Sequence, residues 1–363
     1  MNKFGIKNDY AVVDLFCGVG GLTRGFLDQG FQVSAGIDFD ASCRYAFETN
    51  NKSKFLHKDI GKITSKEVEE CFPEDKEKIL IGCAPCQPFS ILNRRQGSSS
   101  NINNRDRWKL LYSFASIIKN LRPTVVSMEN VPLLKGFQGG VIFNDFVSAL
   151  EDVGYHISYE IHNAKDYGVP QRRQRLVLLG SLMGKIEMIS PTHKHNPVTV
   201  GDAIGWLAPI EAGEVSIDDP LHRARNLTEL SMRRIKATPE GGGWKDWDDS
   251  LIADCHKKKG GSAFGSAYGR MSMDDVAPTM TTYCTGYNNG RFGHPSQDRP
   301  ISIREAALLQ SFPKDYDFID PETPFSIGRL SRHIGNAVPV ALSQAIAKSV
   351  ELHIESSGDG QKG

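Results

Sequence analysis

Apolar and polar positions alternate in two different ways over the first 180 residues. Short apolar segments have the length and composition of buried β-strands, and the segments between them carry apolar residues at helical spacing. The predicted strands are Tyr10–Phe16, Phe31–Ile37, Ile79–Gly82, Thr124–Met128, Tyr155–His162 and Arg175–Gly180. The predicted helices are Leu22–Gln29, Ala41–Thr49, a segment that begins at Thr64, Trp108–Leu121 and Phe143–Val153. This order predicts an α/β fold with a doubly wound, mostly parallel sheet.

The pattern becomes irregular after about residue 181 and stays so to about residue 290. This stretch is rich in Gly, Pro, Asp and Lys and has no sustained helical or strand period. Helical patterning returns at Ser302, whose spacing to Glu305 matches a capping box, and a last helix is predicted from Pro339 to about Ile354. The predicted domains are a first domain of residues 1–180, a smaller irregular domain of residues 181–290, a segment of residues 291–355 that returns to the first domain, and a disordered tail of residues 356–363.

The composition is that of an ordinary folded protein, with 39% hydrophobic and 24% charged residues among 363. No apolar run is long enough to span a bilayer, and residues 1–10 lack the pattern of a secretory signal, so we expect a cytoplasmic protein with no membrane partner. Seven cysteines, an odd number, argue against a disulfide framework and for reduced thiols. The net charge of zero argues against a wholly electrostatic nucleic-acid binder, although basic clusters occur, for example from Arg223 to Lys236.

A glycine-rich turn follows the first predicted strand and leads into the first predicted helix, between Asp14 and Gly21. Glycines let the backbone approach a ligand closely, and the N-terminus of a helix offers N–H groups to an anion. Thr23 occupies the last glycine position of the dinucleotide-binding pattern, which favours a nucleotide-like ligand without a pyrophosphate. Asp38 ends the second strand at the distance typical of a ribose-binding carboxylate, and Asp59 is a candidate acceptor for an adenine amino group. The turn alone is equally typical of a structural feature.

A second motif begins at Gly82, where the third predicted strand gives way to a loop that contains Cys83 and Cys86. The carboxyl end of a parallel strand is a common place for chemistry, and a thiol there acts as a nucleophile once it is deprotonated. Other interpretations remain at this point, namely core cysteines, a redox pair or half of a metal site. No second C-x-x-C pair exists to complete a zinc tetrahedron.

A third motif places Glu129 at the end of a strand that is predicted to be central and buried. A carboxylate in such a position is costly unless it is paired or used in catalysis. Arg173 and Arg175 lead into the last predicted strand, where strand alternation would put both on one face. The two arginines are therefore candidates to hold Glu129 and an anionic substrate, although an arginine pair is also common on a solvated surface.

Six motifs in order along the chain resemble those of the bacterial DNA cytosine-5 methyltransferases. The resemblance covers nearly the whole chain apart from the irregular region, and six ordered motifs are far more specific than any single one. It favours Cys86 over Cys83 as the reactive thiol. The motifs are Phe16–Gly21, Pro85–Gln87, Glu129–Val131, Gln171–Arg175, Arg304–Pro313 and Gly335–Pro339.

The resemblance implies S-adenosylmethionine as methyl donor and no metal. It implies that Cys86 attacks C6 of cytosine, that Glu129 holds or protonates N3, and that Arg173 and Arg175 position the base and Cys86. The base would be flipped out of the duplex because C6 is otherwise hidden. The residues implied for the donor site are Phe16, Gly18, Gly20, Asp38, Phe39, Asp59, Ile60, Pro85, Leu110 and Asn336.

The irregular region, residues 181–290, corresponds to the family's target-recognition domain. Trp244 and Trp247 within it are candidates for DNA contacts or for the core of a small domain. The expected partners are double-stranded DNA and a cognate restriction endonuclease that acts on the same site, and the expected oligomeric state is a monomer.

Three alternative functions are considered. A tRNA cytosine-5 methyltransferase would have the same fold. A relative that only binds DNA would be expected to lose Cys86 and Glu129, and both are present. A nicotinamide-dependent oxidoreductase is suggested by the glycine turn alone, and Thr23 argues against it.

Overall fold

The computed structural model describes residues 6–85, 108–258 and 265–359. The chain forms two compact units. The first, called here the sheet unit, consists of residues 1–164, 174–191 and 338–363, and the second, the loop-rich unit, consists of residues 165–173 and 192–337. The predicted domain boundaries at residues 180 and 290 differ from this division, because the loop-rich unit continues to Ala337 and also includes the segment Lys165–Arg173.

The sheet unit contains a mixed sheet of seven strands in the order β3-β2-β1-β4-β5-β7-β6. The pairs among the first five strands are parallel, and β7 is antiparallel to both of its neighbours. The predicted α/β class with a mostly parallel sheet is therefore confirmed. The strands are β1 Tyr10–Leu15, β2 Gln32–Asp38, β3 Lys54–His57, β4 Glu77–Gly82, β5 Val125–Asn130, β6 His156–Asn163 and β7 Gln174–Ser181.

One strand, β3, was not predicted from the sequence. It has only four residues, and Phe55 is the one side chain among them that is fully buried, so it lacks the long apolar run of its neighbours. The other six strands lie within two residues of their predicted bounds. All six residues of β1 are buried, as expected for a central strand covered on both faces.

Helices cover the two faces of the sheet. The α-helices of this unit are α1 Gly21–Asp28, α2 Arg44–Asn51, α3 Ser65–Glu69, α4 Lys109–Leu121, α5 Val141–Glu151 and α11 Val340–Asp359. Short 3-10 helices are Ile6–Asp9, Ala41–Cys43, the kinked Pro132–Gly140 and Ala164–Tyr167, which leads out of the sheet unit. The capping box predicted at Thr64 is present, because its hydroxyl accepts from the amide of Glu67 while the carboxylate accepts from the amide of Thr64.

The last helix, α11, packs directly on α1. A Cβ atom at Gly25 would collide with Ser343, so glycine is needed for the two helices to approach this closely. The Ser343 hydroxyl donates to the carbonyl of Leu22 at 2.5 Å. The helix continues to Asp359, so the predicted tail is helical from Ser356 to Asp359.

The main hydrophobic core lies between the sheet and the pair α4 and α5. Phe114, Phe143 and Phe146 are fully or almost fully buried there, and the rings of Phe114 and Phe146 lie 5.8 Å apart. Burying each such side chain contributes about 1.5–3 kcal/mol. This core fixes β4 and β5, the two strands whose carboxyl ends carry the second and third sequence motifs.

The loop-rich unit contains short helices and, among its described residues, isolated β-bridges rather than longer strands. The helices are α6 Val200–Ile204, α7 Glu229–Lys236, α8 Asp254–Lys257, α9 Ile303–Leu309 and α10 Ile327–Asn336, with 3-10 helices at Trp244–Asp246 and Tyr287–Asn289. The capping box predicted at Ser302 is present at the start of α9. The other four α-helices were not predicted, and α6, α7 and α10 begin just after the capping residues Thr199, Thr228 and Ser326.

Both tryptophans singled out in the sequence lie in a small core of this unit. Trp244 is 8% exposed and stacks on the ring of His256 at 4.3 Å. Trp247 is 6% exposed, and its indole N–H donates to the Thr238 hydroxyl at 2.7 Å. The structure thus supports the core interpretation of both residues.

Among the residues that the structure describes, no helix combines the length and the apolar character that crossing a membrane requires.

Candidate active site

The glycine-rich turn bends sharply at the end of β1. Phe16, Gly18 and Gly20 have positive φ angles of 61°, 52° and 89°. The amides of Phe16 and Cys17 both donate to the carbonyl of Ile37, at 2.8 and 3.3 Å, so the turn is fixed against the end of β2. A Cβ atom at Gly18 would meet nothing within 4 Å, which leaves open space beside the backbone. Helix α1 then begins without a side-chain hydrogen bond from its cap residue, Gly20. N–H groups in the first turn of a helix are suited to bind an anionic group.

The carboxylate of Asp38, at the end of β2, holds this turn in place. One of its oxygens accepts from the amide of Gly18 at 2.9 Å, and the other accepts from the amide of Asp40 at 2.8 Å. Asp38 is 8% exposed, and burial raises its pKa. The sequence predicted a ligand-binding role for this residue, and the structure adds a structural one.

Asp14 lies buried beneath the turn and explains why Thr23 departs from the dinucleotide pattern. The Thr23 hydroxyl donates to the Asp14 carboxyl group at 2.7 Å. Burial raises the pKa of Asp14 to about 8, and the charge of Asp38 adds to this effect. Thr23 thus serves as the hydrogen-bond partner of a buried acid, a contact that glycine would not make.

The carboxyl ends of β2 and β3 bring further predicted residues to the same edge of the sheet. Phe39 follows β2, and its side chain is 52% exposed. Asp59 follows β3 and accepts from the amide of Gly61 at 2.9 Å, while Ile60 is buried in the core. Leu110, near the start of α4, is partly buried against the same core. Parallel strands put these side chains at one edge because all of their carboxyl ends point the same way.

Glu129 is almost completely buried, with 2% exposure, at the carboxyl end of β5. Arg175 on the neighbouring strand β7 places its Nε atom 2.8 Å from one oxygen of this carboxylate. The thiol of Cys83, just after β4, donates to the other oxygen at 2.8 Å. The sequence predicted the contact with Arg175 but gave no role to Cys83.

The segment that leads to the predicted nucleophile is tied to β5 by Asn130. Its side-chain amide donates to the carbonyl of Ala84 at 3.0 Å, and its side-chain oxygen accepts from the amide of Val131 at 2.9 Å. Pro85 is partly buried and ends this described range. Cys86, the predicted nucleophile, lies outside the described residues. Asn130 was part of a sequence motif, but nothing in the sequence indicated this contact.

Arg173 has a different environment from Arg175. It belongs to the loop-rich unit, is 3% exposed, and its guanidinium donates to the carbonyls of Met280, Gly335 and Ala337 at 2.9, 3.3 and 3.3 Å. Strand alternation does not apply to Arg173, because β7 begins only at Gln174.

Two glutamines complete this network in the loop-rich unit. Gln171 is fully buried and donates to the carbonyl of Leu309 at 2.8 Å and to the Gln310 side chain at 3.0 Å. Gln310 in turn donates to the carbonyl of Ile334 at 2.6 Å. Asn336, predicted to contact the donor, is the last residue of α10, and the network fixes the backbone around it.

The profile of the family described as C-5 cytosine-specific DNA methylase matches residues 10–352. The chain belongs to this family. Two relatives agree with the match. Type II methylase M.HgiDII of Herpetosiphon aurantiacus is 48% identical over 353 residues, which are 97% of this chain and 98% of that protein. Type II methyltransferase M.PspPI of a Psychrobacter strain is 32% identical over 95% of this chain and 79% of its own length.

Solved structures of other proteins have the same fold. A prophage-encoded protein of E. coli described as a DNA modification methyltransferase aligns with a TM-score of 0.70 at 22% identity, over 94% of this chain and 98% of its own. A DNMT2 variant of Spodoptera frugiperda aligns with a TM-score of 0.64 at 17% identity, over 94% and 99%. At these identities the likeness concerns the fold alone. The C-5 cytosine DNA methylase family predicted from the six motifs is thereby confirmed, and the chain is a C-5 cytosine DNA methyltransferase.

Proposed function

We propose that this methyltransferase takes its methyl group from S-adenosylmethionine and acts through a covalent bond between Cys86 and the target cytosine. The observation that carries the proposal is the buried carboxylate of Glu129, which Arg175 and Cys83 hold next to the segment that leads to Cys86. A buried carboxylate at the carboxyl end of a central strand has the position expected of a group that acts on substrate.

The carboxyl ends of β1, β2 and β3 fit the donor, which supplies a methyl group on a positively charged sulfur. The turn at Gly18 and Gly20 lets the backbone approach the donor closely, as the open space at Gly18 permits. Asp38 has lone pairs beyond those that bind Gly18 and Asp40, and these accept ribose hydroxyls. The exposed ring of Phe39 offers a face for stacking on a nucleobase. The remaining proposed donor-site residues of the sheet unit are Phe16, Asp59, Ile60, Pro85 and Leu110.

Cys86 and Glu129 have separate roles in the proposed reaction. The Cys86 thiolate forms a bond to C6 of cytosine while Glu129 holds or protonates N3. The electron pair of the C5–C6 bond then becomes available at C5, which is otherwise too poor a nucleophile to take a methyl group. After C5 is methylated, loss of its proton restores the double bond and expels the thiolate. The base has to leave the duplex for this, at a cost of roughly a few kcal/mol that contacts in the pocket offset.

The two arginines act in different ways in this proposal. Arg175 contacts Glu129 directly and orients the carboxylate in a site where an unpaired charge would be costly. Arg173 acts through the backbone of Gly335 and Ala337, so it is a positioning residue for the segment that carries Asn336. The donor contact of Asn336 itself stays a prediction.

We propose that the substrate is a specific sequence in double-stranded DNA and that the loop-rich unit reads it. Exposed basic side chains of α7, Arg233 and Lys236, are suited to phosphate contacts. The relatives named as type II methylases support a cognate restriction endonuclease that acts on the same site. Cytoplasmic location and a monomeric state stay predictions.

A direct assay distinguishes DNA from tRNA, the alternative substrate. Methyl transfer from labelled donor is measured on duplex DNA and on tRNA under the same conditions. DNA is the expected acceptor, since the family description names DNA and the relative at 48% identity is named a type II methylase. Methylation of tRNA with none of DNA would overturn this assignment, and sequencing the methylated positions identifies the recognised site.

The covalent step is tested with DNA that contains 5-fluorocytosine, in which fluorine replaces the C5 hydrogen and cannot leave as a cation. The wild-type chain is expected to form an irreversible adduct at Cys86 when the donor is present. Cys86→Ser is expected to form none and to lose turnover while it still binds donor and DNA, because a hydroxyl is a much poorer nucleophile than a thiolate. A wild-type chain that binds both ligands without forming the adduct would exclude the covalent mechanism.

A further inference from the structure

The carboxylate of Glu129 has one partner from each of the two strands beside β5. Arg175 on β7 contacts Oε1, and Cys83 at the end of β4 donates its thiol proton to Oε2 at 2.8 Å. Glu129 itself is 2% exposed, so water contributes little to its solvation. The orientation of the carboxylate is therefore set by these two neighbours.

The sheet fixes where the Cys83 thiol lies. Gly82 pairs with Met128 in the parallel register of β4 and β5, so the next residues along, Cys83 and Glu129, are neighbours. The amide of Cys83 donates to the carbonyl of Leu15 on β1 at 3.3 Å. On its other side, the carbonyl of Ala84 accepts from Asn130. Hydrogen bonds to β1 and β5 thus hold the backbone around Cys83. The pairing register of β4 with β5 places its thiol next to the Glu129 carboxylate.

A thiol differs from other donors that would fit this position. It is a weak hydrogen-bond donor, so it orients an acceptor without binding it tightly. A charged donor would hold the Oε2 atom more strongly and would compete with the ring N–H or amino group of a bound cytosine. Cys83 is therefore suited to orient the Glu129 carboxylate in the free enzyme and to release it when cytosine binds.

We propose that Cys83 is a positioning residue for methyl transfer, whose thiol holds the Glu129 carboxylate in the orientation that meets cytosine N3. This inference rests on the proposed function of Glu129. Cys83 takes no covalent part in the reaction, since that role belongs to Cys86. Its contribution is to the chemical step rather than to donor binding, because its side chain contacts Glu129.

The test compares Cys83→Ala, Cys83→Ser and a matched control in the full chain. Loss of one hydrogen bond to a charged group predicts that Cys83→Ala lowers kcat roughly tenfold. The KM for S-adenosylmethionine and its Kd are expected to change by less than about twofold. Cys83→Ser restores a donor and is expected to recover kcat to within about threefold of wild type. Cys71→Ala is the control, because that half-buried thiol of the sheet unit donates to the carbonyl of Glu67, and the kcat of this variant should equal that of wild type.

A double-variant cycle identifies the route of the effect. If Cys83 acts through Glu129, then Cys83→Ala causes no further loss of kcat in a chain that already carries Glu129→Gln. Should Cys83→Ala not fold, Cys83→Val keeps a side chain there without a donor and is expected to lose the same factor. The proposal is overturned by a wild-type kcat in the alanine or valine variant, by failure of serine to recover activity, or by additive losses in the cycle. Full activity of Glu129→Gln alone would instead overturn the proposed role of Glu129.

Discussion

The two units of this protein place their buried charges differently. The main core of the sheet unit, between the sheet and the pair α4 and α5, consists of hydrophobic side chains, and the buried acids Asp14 and Glu129 lie at the carboxyl ends of its strands. The loop-rich unit buries charged side chains, among them Arg270, Arg299 and Glu305, each at 5% exposure or less. A sheet satisfies its own backbone groups, whereas loops leave carbonyls that need other donors. Long polar side chains supply those donors in the loop-rich unit, so its fold depends on specific hydrogen bonds more than on regular structure.

Arg299 and Glu305 are the centre of this arrangement. The guanidinium makes two hydrogen bonds to the carboxylate, at 2.8 and 2.7 Å, and His294 lies 3.5 Å away. The same carboxylate accepts from the amide of Ser302 in the capping box. Arg270 donates to the carbonyls of Ile235, His294 and Gln297 and contacts Asp298.

The largest effect is expected from breaking that buried pair. Glu305→Gln leaves Arg299 without its counter-charge and should lower the free energy of unfolding by about 3–5 kcal/mol. Hydrogen exchange followed residue by residue should show faster exchange in the loop-rich unit, with the sheet unit protected. Glu48→Gln, which removes an exposed partner of Arg44, serves as the control and should cost less than about 1 kcal/mol. Equal loss of protection in both units would contradict the claim that the loop-rich unit depends on its buried polar side chains.

A second effect, smaller for each pH unit, is expected from pH, with opposite sign at His294 of the loop-rich unit and at Asp14 of the sheet unit. Burial lowers the pKa of His294 to about 4, so the unfolded state binds its proton first, and stability falls as the pH drops from about 6.5 to about 4. Burial alone would raise the pKa of Glu305, but Arg299 outweighs this effect and the pKa is lowered. Protonation of Glu305 in acid therefore also lowers the stability of the folded state. Burial raises the pKa of Asp14 from 3.8 to about 8, so the folded state keeps that proton, and stability falls as the pH rises through this window.

Each group should contribute a slope of at most about 1.4 kcal/mol per pH unit. Hydrogen exchange at a series of pH values should show the surroundings of His294 loosening as the pH falls from about 6.5 to about 4, and the surroundings of Asp14 loosening as the pH rises from about 4 to about 8. Asp14→Asn mimics the protonated acid and should remove the second of these losses alone. An unchanged loss of protection around Asp14 between pH 4 and 8 in that variant would mean that Asp14 does not cause it.

The smallest effect is expected from matched helix caps. Thr64→Ala removes an exposed cap in the sheet unit and should cost about 1 kcal/mol. Ser302→Ala should cost up to about 2 kcal/mol, because the buried hydroxyl also hydrogen-bonds the His222 ring, 2.8 Å away. Chemical denaturation of both variants measures the difference. A larger cost at Thr64 would reverse the expected order of the two units.

The sequence predicts six of the seven strands because each is an apolar segment with the length and composition of a strand. It predicts Glu129 as a special residue because a carboxylate ends one of those runs. It does not predict the Cys83 contact, which arises from the register of β4 against β5. Nor does it predict that Arg173 binds the carbonyl of Gly335, 162 residues along the chain. Contacts of this kind depend on loop paths that leave no periodic signal in the sequence.

The packing of α11 on α1 has a consequence for biosynthesis. The face of α1 around Gly25 is covered only when residues near Ser343 have emerged from the ribosome, after the whole loop-rich unit. Lys7 likewise forms its ion pair with Glu351, at 2.8 Å in the folded protein, only after that residue has been synthesised. Until then the nascent chain exposes apolar surface of its first helix, so chains that terminate early should aggregate or be degraded rather than accumulate as a stable fragment.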